Sequence, residues 1–131
     1  MAVYKTKWFH RWAHKQGLTA QSLCAAVAEM AEGLYEANLG GGLFKKRIAR
    51  PGEGKSGGFR TLVATKMEDR WFFVFGFPKS ARSNIDKDEE EALKRLAAHL
   101  LGLTSNALTL ALEAQEITEV DCHAHHQISH S

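Results

Sequence analysis

The sequence is short of the features that most directly set a protein's class. No apolar run exceeds the seven residues 71–77, far below the ~20 that a membrane-crossing helix needs. The first eight residues, Met-Ala-Val-Tyr-Lys-Thr-Lys-Trp, lack the apolar segment of a secretory signal, which predicts a cytoplasmic protein. A length of 131 residues leaves room for one core, which excludes multidomain enzymes and most doubly wound nucleotide folds. Only two cysteines occur, Cys24 and Cys122, far apart in the chain; reduced thiols are the expectation for such a pair in the cytosol. No internal repeat is visible.

What is present describes a folded domain with an uneven charge layout. Hydrophobic residues make up 44% and aromatic residues 9%, too many for a disordered tail. The net charge of +2 hides two opposed halves. Residues 1–82 hold 14 Lys/Arg and 6 Asp/Glu, a net of +8, whereas residues 83–131 hold 3 and 9, a net of −6.

Local signals divide the chain into elements. Residues 3–5 read as a short edge strand. Thr6 is placed to cap a helix carrying Trp8 and Trp12, and Gly17 to end it. Thr19 caps a second helix of about seventeen residues, with Leu23, Val27, Met30 and Leu34 as its apolar stripe; the two helices form an αα-hairpin. Asn38-Leu39-Gly40-Gly41-Gly42 breaks the pattern. Strand-like runs follow at 43–50, 59–66 and 70–77, the last apolar on both faces and therefore central. Asp86 and Glu89 have capping-box spacing at the start of a third helix, whose stripe is Leu93, Leu96, Leu100 and Leu103. Thr104 caps a fourth. The order is β-α-α-β-β-β-α-α, a small single α+β domain over residues 1–116 with an antiparallel sheet. Residues 117–131 read as a disordered, His-rich tail.

Several constellations can be weighed for chemistry. Ala49-Arg50-Pro51-Gly52-Glu53-Gly54-Lys55-Ser56 satisfies a relaxed phosphate-binding loop, but such a loop works only at a helix N-terminus. A strand follows here and Pro51 removes an N–H, so the segment reads as a hairpin loop. His10 and His14 share one helix face without a third ligand, so solvated histidines outweigh a metal pair. Cys122, His123, His125, His126 and His130 fall in the weakly patterned terminus and make no defined metal site.

The cations are more informative. Lys45, Lys46, Arg47, Arg50, Lys55 and Arg60 face a single local acid, Glu53. Strand alternation puts Lys45 and Arg47 on the face opposite Phe44 and Ile48, and Arg60 can share it. Lys79 and Arg82 lie on the loop leaving the central strand. A solvated basic face and an anion-binding site explain these residues equally well. A cation cluster without interleaved acids repels itself, however, and calls for an anion such as nucleic-acid phosphate.

Lys45-Lys-Arg-Ile-Ala-Arg50, Gly57-Gly-Phe-Arg-Thr-Leu-Val63 and Phe77-Pro-Lys-Ser-Ala-Arg-Ser-Asn-Ile-Asp86, taken with the element order, resemble the RelE/ParE toxin superfamily. The resemblance covers roughly residues 3–103 and is closest to HigB-like and RelE-like mRNA interferases of type II toxin–antitoxin pairs. It implies an αα-hairpin and a C-terminal helix packed on an antiparallel sheet. It also implies metal- and cofactor-free cleavage of ribosome-bound mRNA by attack of a ribose 2′-OH on the adjacent phosphate. The family pattern carries catalytic roles to Lys45, Arg47, Arg60 and Arg82, and the remaining cations Lys46, Arg50, Lys55 and Lys79 are then the expected RNA contacts. Asp86 stands where some members have a tyrosine, a candidate acid–base substitute. The implied partners are the ribosome, mRNA and a helix-turn-helix antitoxin through which operator DNA is reached, with no membrane. The same fold also serves gyrase-poisoning toxins, and a non-catalytic nucleic-acid-binding module is a further alternative.

Overall fold

In a computed structural model of the chain, residues 1–50 and 54–122 are described, with 54–56 as backbone alone. Side-chain caps start the helices where the sequence signals them. Strand β1 (Ala2–Thr6) runs into helix α1 (Lys7–Gln16) through Thr6, whose side chain accepts from Phe9 N, and Gly17 ends α1 at φ 75°. Helix α2 (Ala20–Ala31) starts at Thr19, whose hydroxyl accepts from Ser22 N. It stops earlier than its apolar stripe predicts. Gly33 takes φ 88°, and Leu34 N donates to Glu29 O at 2.9 Å, a six-to-one closure that ends a helix. Leu34 is consequently 57% exposed instead of joining the stripe.

Strands β2 (Ala37–Gly40), β3 (Leu43–Arg50), β4 (Gly54–Thr65) and β5 (Arg70–Pro78) follow, then helices α3 (Lys87–Leu101) and α4 (Ser105–Glu113), and strand β6 (Ile117–Val120). The six strands form one sheet in the order β2-β3-β4-β5-β1-β6. Only the β1–β5 pair is parallel among the described strands. The small α+β fold is therefore as the sequence indicated, with specific differences. β1 is interior, lying between β5 and β6. The glycine-rich break contains β2. Residues 117–120, assigned by sequence to the tail, pair antiparallel with β1, from Val3–Val120 to Thr6–Ile117. Positions 51–53 and the histidines at 123, 125, 126 and 130 lie outside the described residues.

Each face of the sheet is packed. Phe9, Leu23, Val27 and Met30 of the αα-hairpin cover Phe44, Ile48, Phe59 and Phe73. On the other face Ala97, Leu100 and Leu108 cover Leu43, Leu62, Phe72 and Val74. Strand β5 is buried from both sides, as an apolar central strand must be. The capping box at the head of α3 is formed in both directions between Asp86 and Glu89.

The thiol expectation is corrected. Cys24 on α2 and Cys122 just after β6 are joined in a disulfide, with Cα atoms 5.6 Å apart and a sequence separation of 98. Strand pairing carries residues 117–120 back to the start of the chain, so the sequence distance ceases to matter.

Candidate nucleic-acid interface

The site begins with the pleat of β3. Leu43 points toward α3 and α4, and Phe44 and Ile48 toward the αα-hairpin. Lys45 and Arg47 therefore continue the α3 face beyond Leu43. The β3–β4 register sets Arg47 directly across from Arg60, and the β4–β5 register sets Arg60 across from Phe77. Arg60 shares its face with Leu62, which packs under α3. Lys45, Arg47 and Arg60 thus come together on one side of the sheet. Gly58 makes this pairing possible. A Cβ there would lie 2.1 Å from Ile48 O, so any side chain would force β3 and β4 apart beside the arginine pair.

The cluster is not purely cationic, which corrects the charge pattern read from the sequence. Glu36, in the bend before β2, donates its backbone N–H to Lys45 O at 2.8 Å. Its carboxylate accepts from Arg47 Nη2 at 3.2 Å and from Arg60 Nε at 3.0 Å. Arg60 is 8% exposed, and its Nη1 is buried with no hydrogen-bond partner among the described residues.

The loop between β5 and α3 forms the other edge. Buried Ile85 anchors it in the core. Asn84 Oδ1 accepts from Ile85 N at 2.9 Å and from Lys45 Nζ at 3.2 Å. Arg82 donates from Nε to Asn84 O at 3.0 Å and from Nη1 to Glu89 Oε2 at 3.1 Å, with Nη2 on Glu89 Oε1. Its guanidinium also lies over the Phe77 ring, 5.2 Å from the centroid. The Arg82 hydrogen bond, helped by the Asp86 backbone N–H, holds the Glu89 carboxyl below the usual carboxylate range. The same bond raises Arg82. Arg82 therefore braces the loop with its fork already engaged.

Other sequence candidates are placed elsewhere. Lys46 alternates to the hairpin side and is 5% exposed, with Nζ 2.5 Å from Glu29 Oε1 and 3.0 Å from Leu34 O. Arg50 stacks over Phe59 at 4.7 Å, on the same hairpin side. Lys79 is exposed just past β5, where its N–H donates to Gly58 O at 3.1 Å. Lys55 lies in β4, but its side chain is outside the described residues. Asp86 Oδ1 accepts from Glu89 N at 2.8 Å, so its carboxylate serves the helix cap. His10 is held below its usual value by burial, then by Lys5 and His14. Among the described residues, no three His, Cys, Asp or Glu side chains gather as a metal site. Where the phosphate-binding-loop pattern ends, β4 continues as a strand and supplies no helix N-terminus.

Sequence reasoning missed Glu36 and Asn84. Asn84 stands inside the segment 77–86 that carries the family resemblance but takes no role from it, Glu36 lies in no motif, and each reaches the cluster through backbone placement. For Glu36 this is the bend that feeds the β2–β3 hairpin.

The chain matches, over residues 1–120, the family described as RelE toxin of RelE / RelB toxin-antitoxin system. No curated protein matches it at a significant level.

Proposed function

The chain belongs to the RelE toxin family of toxin–antitoxin systems, and from that premise we propose that it cleaves ribosome-bound mRNA in the cytoplasm without a metal. Membership implies a cognate antitoxin; we take that partner to be a helix-turn-helix protein that also holds operator DNA. The observation that carries the ribonuclease reading is the cross-strand Arg47–Arg60 pair on one sheet face, with Lys45 beside it on β3.

A scissile phosphate taken up on this face receives charge-assisted hydrogen bonds from the remaining Arg47 donors, with the charge of Arg60 behind them. Those bonds tighten as negative charge develops on its oxygens. Lys45 stands on the same face and donates a proton to the leaving 5′-oxygen. Arg82 acts at one remove, by holding Asn84 against Lys45. The 2′-oxygen displaces the 5′-oxygen, leaving a 2′,3′-cyclic phosphate and a 5′-hydroxyl.

Primer extension on a reporter mRNA after induction tests this reading, with wild type beside Arg60→Ala. Breaks within codons are expected for wild type, falling by about 10²-fold or more without the arginine. Growth arrest with intact mRNA, accompanied by DNA damage, would assign the protein to gyrase poisoning instead.

A further inference from the structure

We propose that Glu36 is the general base that accepts the proton of the attacking 2′-OH; this rests on the ribonuclease reading above. A cyclising cleavage needs one group to take a proton and another to give one. Arginine offers donors and no acceptor, and lysine takes up a proton only as the neutral amine; with Lys45 charged and acting as the acid, a separate group has to accept the 2′-OH proton. The acceptors of the neighbouring loop hold that loop and its helix together. Asn84 Oδ1 takes bonds from Lys45 and Ile85, the Glu89 carboxylate takes the Arg82 fork, and Asp86 caps α3.

Glu36 differs in position: its carboxylate lies between the two arginines of the cluster. Each of its oxygens accepts one arginine donor, at 3.2 Å and 3.0 Å. A carboxylate offers about four lone-pair sites, so acceptor capacity remains. The two guanidiniums that hold it are the two that face the phosphate site. A phosphate on the remaining donors of Arg47, whose side chain is 39% exposed, comes beside the carboxylate that Arg47 holds, with its own ribose 2′-OH on the adjoining atoms. Its side chain is 25% exposed, open enough for RNA to reach. The backbone bond from Glu36 N to Lys45 O fixes it against β3.

The proton balance is complete. The 2′-OH proton passes to a Glu36 Oε atom as the 2′-O–P bond forms. The P–O5′ bond breaks, and O5′ takes a proton from Lys45 Nζ. The products are the cyclic phosphate and the free 5′-hydroxyl, with no co-reactant.

Single-turnover cleavage of mRNA on programmed ribosomes, measured across pH, tests the assignment. For Glu36→Gln the rate should fall by about 10²–10⁴-fold while ribosome binding stays within about threefold. The acidic limb of the wild-type pH–rate profile should disappear with it. A substrate with sulfur at the leaving position needs no acid, so it should rescue Lys45→Ala and leave Glu36→Gln impaired. Because the glutamine also removes a counter-ion from two arginines, Glu36→Asp serves as a folded control. It keeps the charge, withdraws the carboxylate by one methylene, and should lose at least about tenfold in rate with an unchanged melting temperature. Wild-type rates in both variants, or an acidic limb that persists in Glu36→Gln, overturn the assignment and leave the ribonuclease reading intact. A wild-type protein that cuts no mRNA on the ribosome removes both readings.

Discussion

Adjacent cations on one strand meet opposite fates, and Lys46 shows how sharply. It sits between Lys45 and Arg47, yet the pleat sends it under the αα-hairpin, where its ammonium contacts Glu29 and the Leu34 carbonyl. Desolvating an ammonium is costly, and the pair offsets that cost without adding much beyond it. Lys46→Met keeps the volume and removes the charge, so its stability should stay within about 1.5 kcal/mol of wild type. Glu29→Ala leaves the buried ammonium with the carbonyl and should cost about 1–3 kcal/mol. Urea unfolding of the two variants gives the comparison. If Lys46→Met instead kept its stability and lost RNA binding, Lys46 would belong to the RNA surface that the sequence pattern assigned to it. Arg82 shows the same limit of pattern reading. Its place after the central strand is visible in sequence, but its engagement by Glu89 depends on the path of the loop.

Among the elements, those built from local signals were legible and those built from pairing were not. Thr6, Thr19, Asp86 and Thr104 announce helix starts, because a cap is satisfied within three residues. β2, Ala-Asn-Leu-Gly, has little strand character of its own, and β6, Ile-Thr-Glu-Val, is β-branched but only four residues long; each is fixed by its partner, β3 or β1. Alternation alone put Lys45 and Arg47 on one face, and the β3–β4 register then set Arg60 beside them. Glu36 followed from neither, since a bend delivers it and no periodicity describes a bend. The disulfide belongs with the illegible part, because it depends on β6 being in place. Closing a loop across a sequence separation of 98 constrains the unfolded chain strongly, so Cys24→Ser should lower stability by about 2–5 kcal/mol under oxidising conditions. Thermal unfolding with and without dithiothreitol reads this directly. The reductant should move wild type toward the variant and leave the variant unchanged. β6 should survive reduction, because Ile117 and Val120 are buried and its ladder to β1 is independent of sulfur. A wild-type melting temperature insensitive to reductant would mean that the bond does not form in solution.

At the scale of the whole molecule, the net +8 over residues 1–82 overstates what RNA can feel. Lys46 is buried with Glu29, Arg50 stacks on Phe59, and Arg82 is held by Glu89. The acidic start of α3, with Asp86, Asp88, Glu89 and Glu90, borders the site through Asn84 and limits the cationic area on that side. Lys45, Arg47 and Arg60 remain as the focus, with Glu36 among them. Counter-ion release makes this a measurable distinction. Each phosphate neutralised on a single strand contributes about −0.7 to the slope of log K against log salt, so three contacts give about −2. Binding of a short single-stranded RNA blocked at its 2′-hydroxyls, followed by fluorescence anisotropy across a salt series, supplies that slope. Arg60→Ala should make it shallower by about 0.7, and Lys46→Met should leave it unchanged. A slope steeper than about −4 would mean that the basic half binds as a broad surface. The arginine pair would then be one contact among many, and the focused phosphate site would no longer explain the binding.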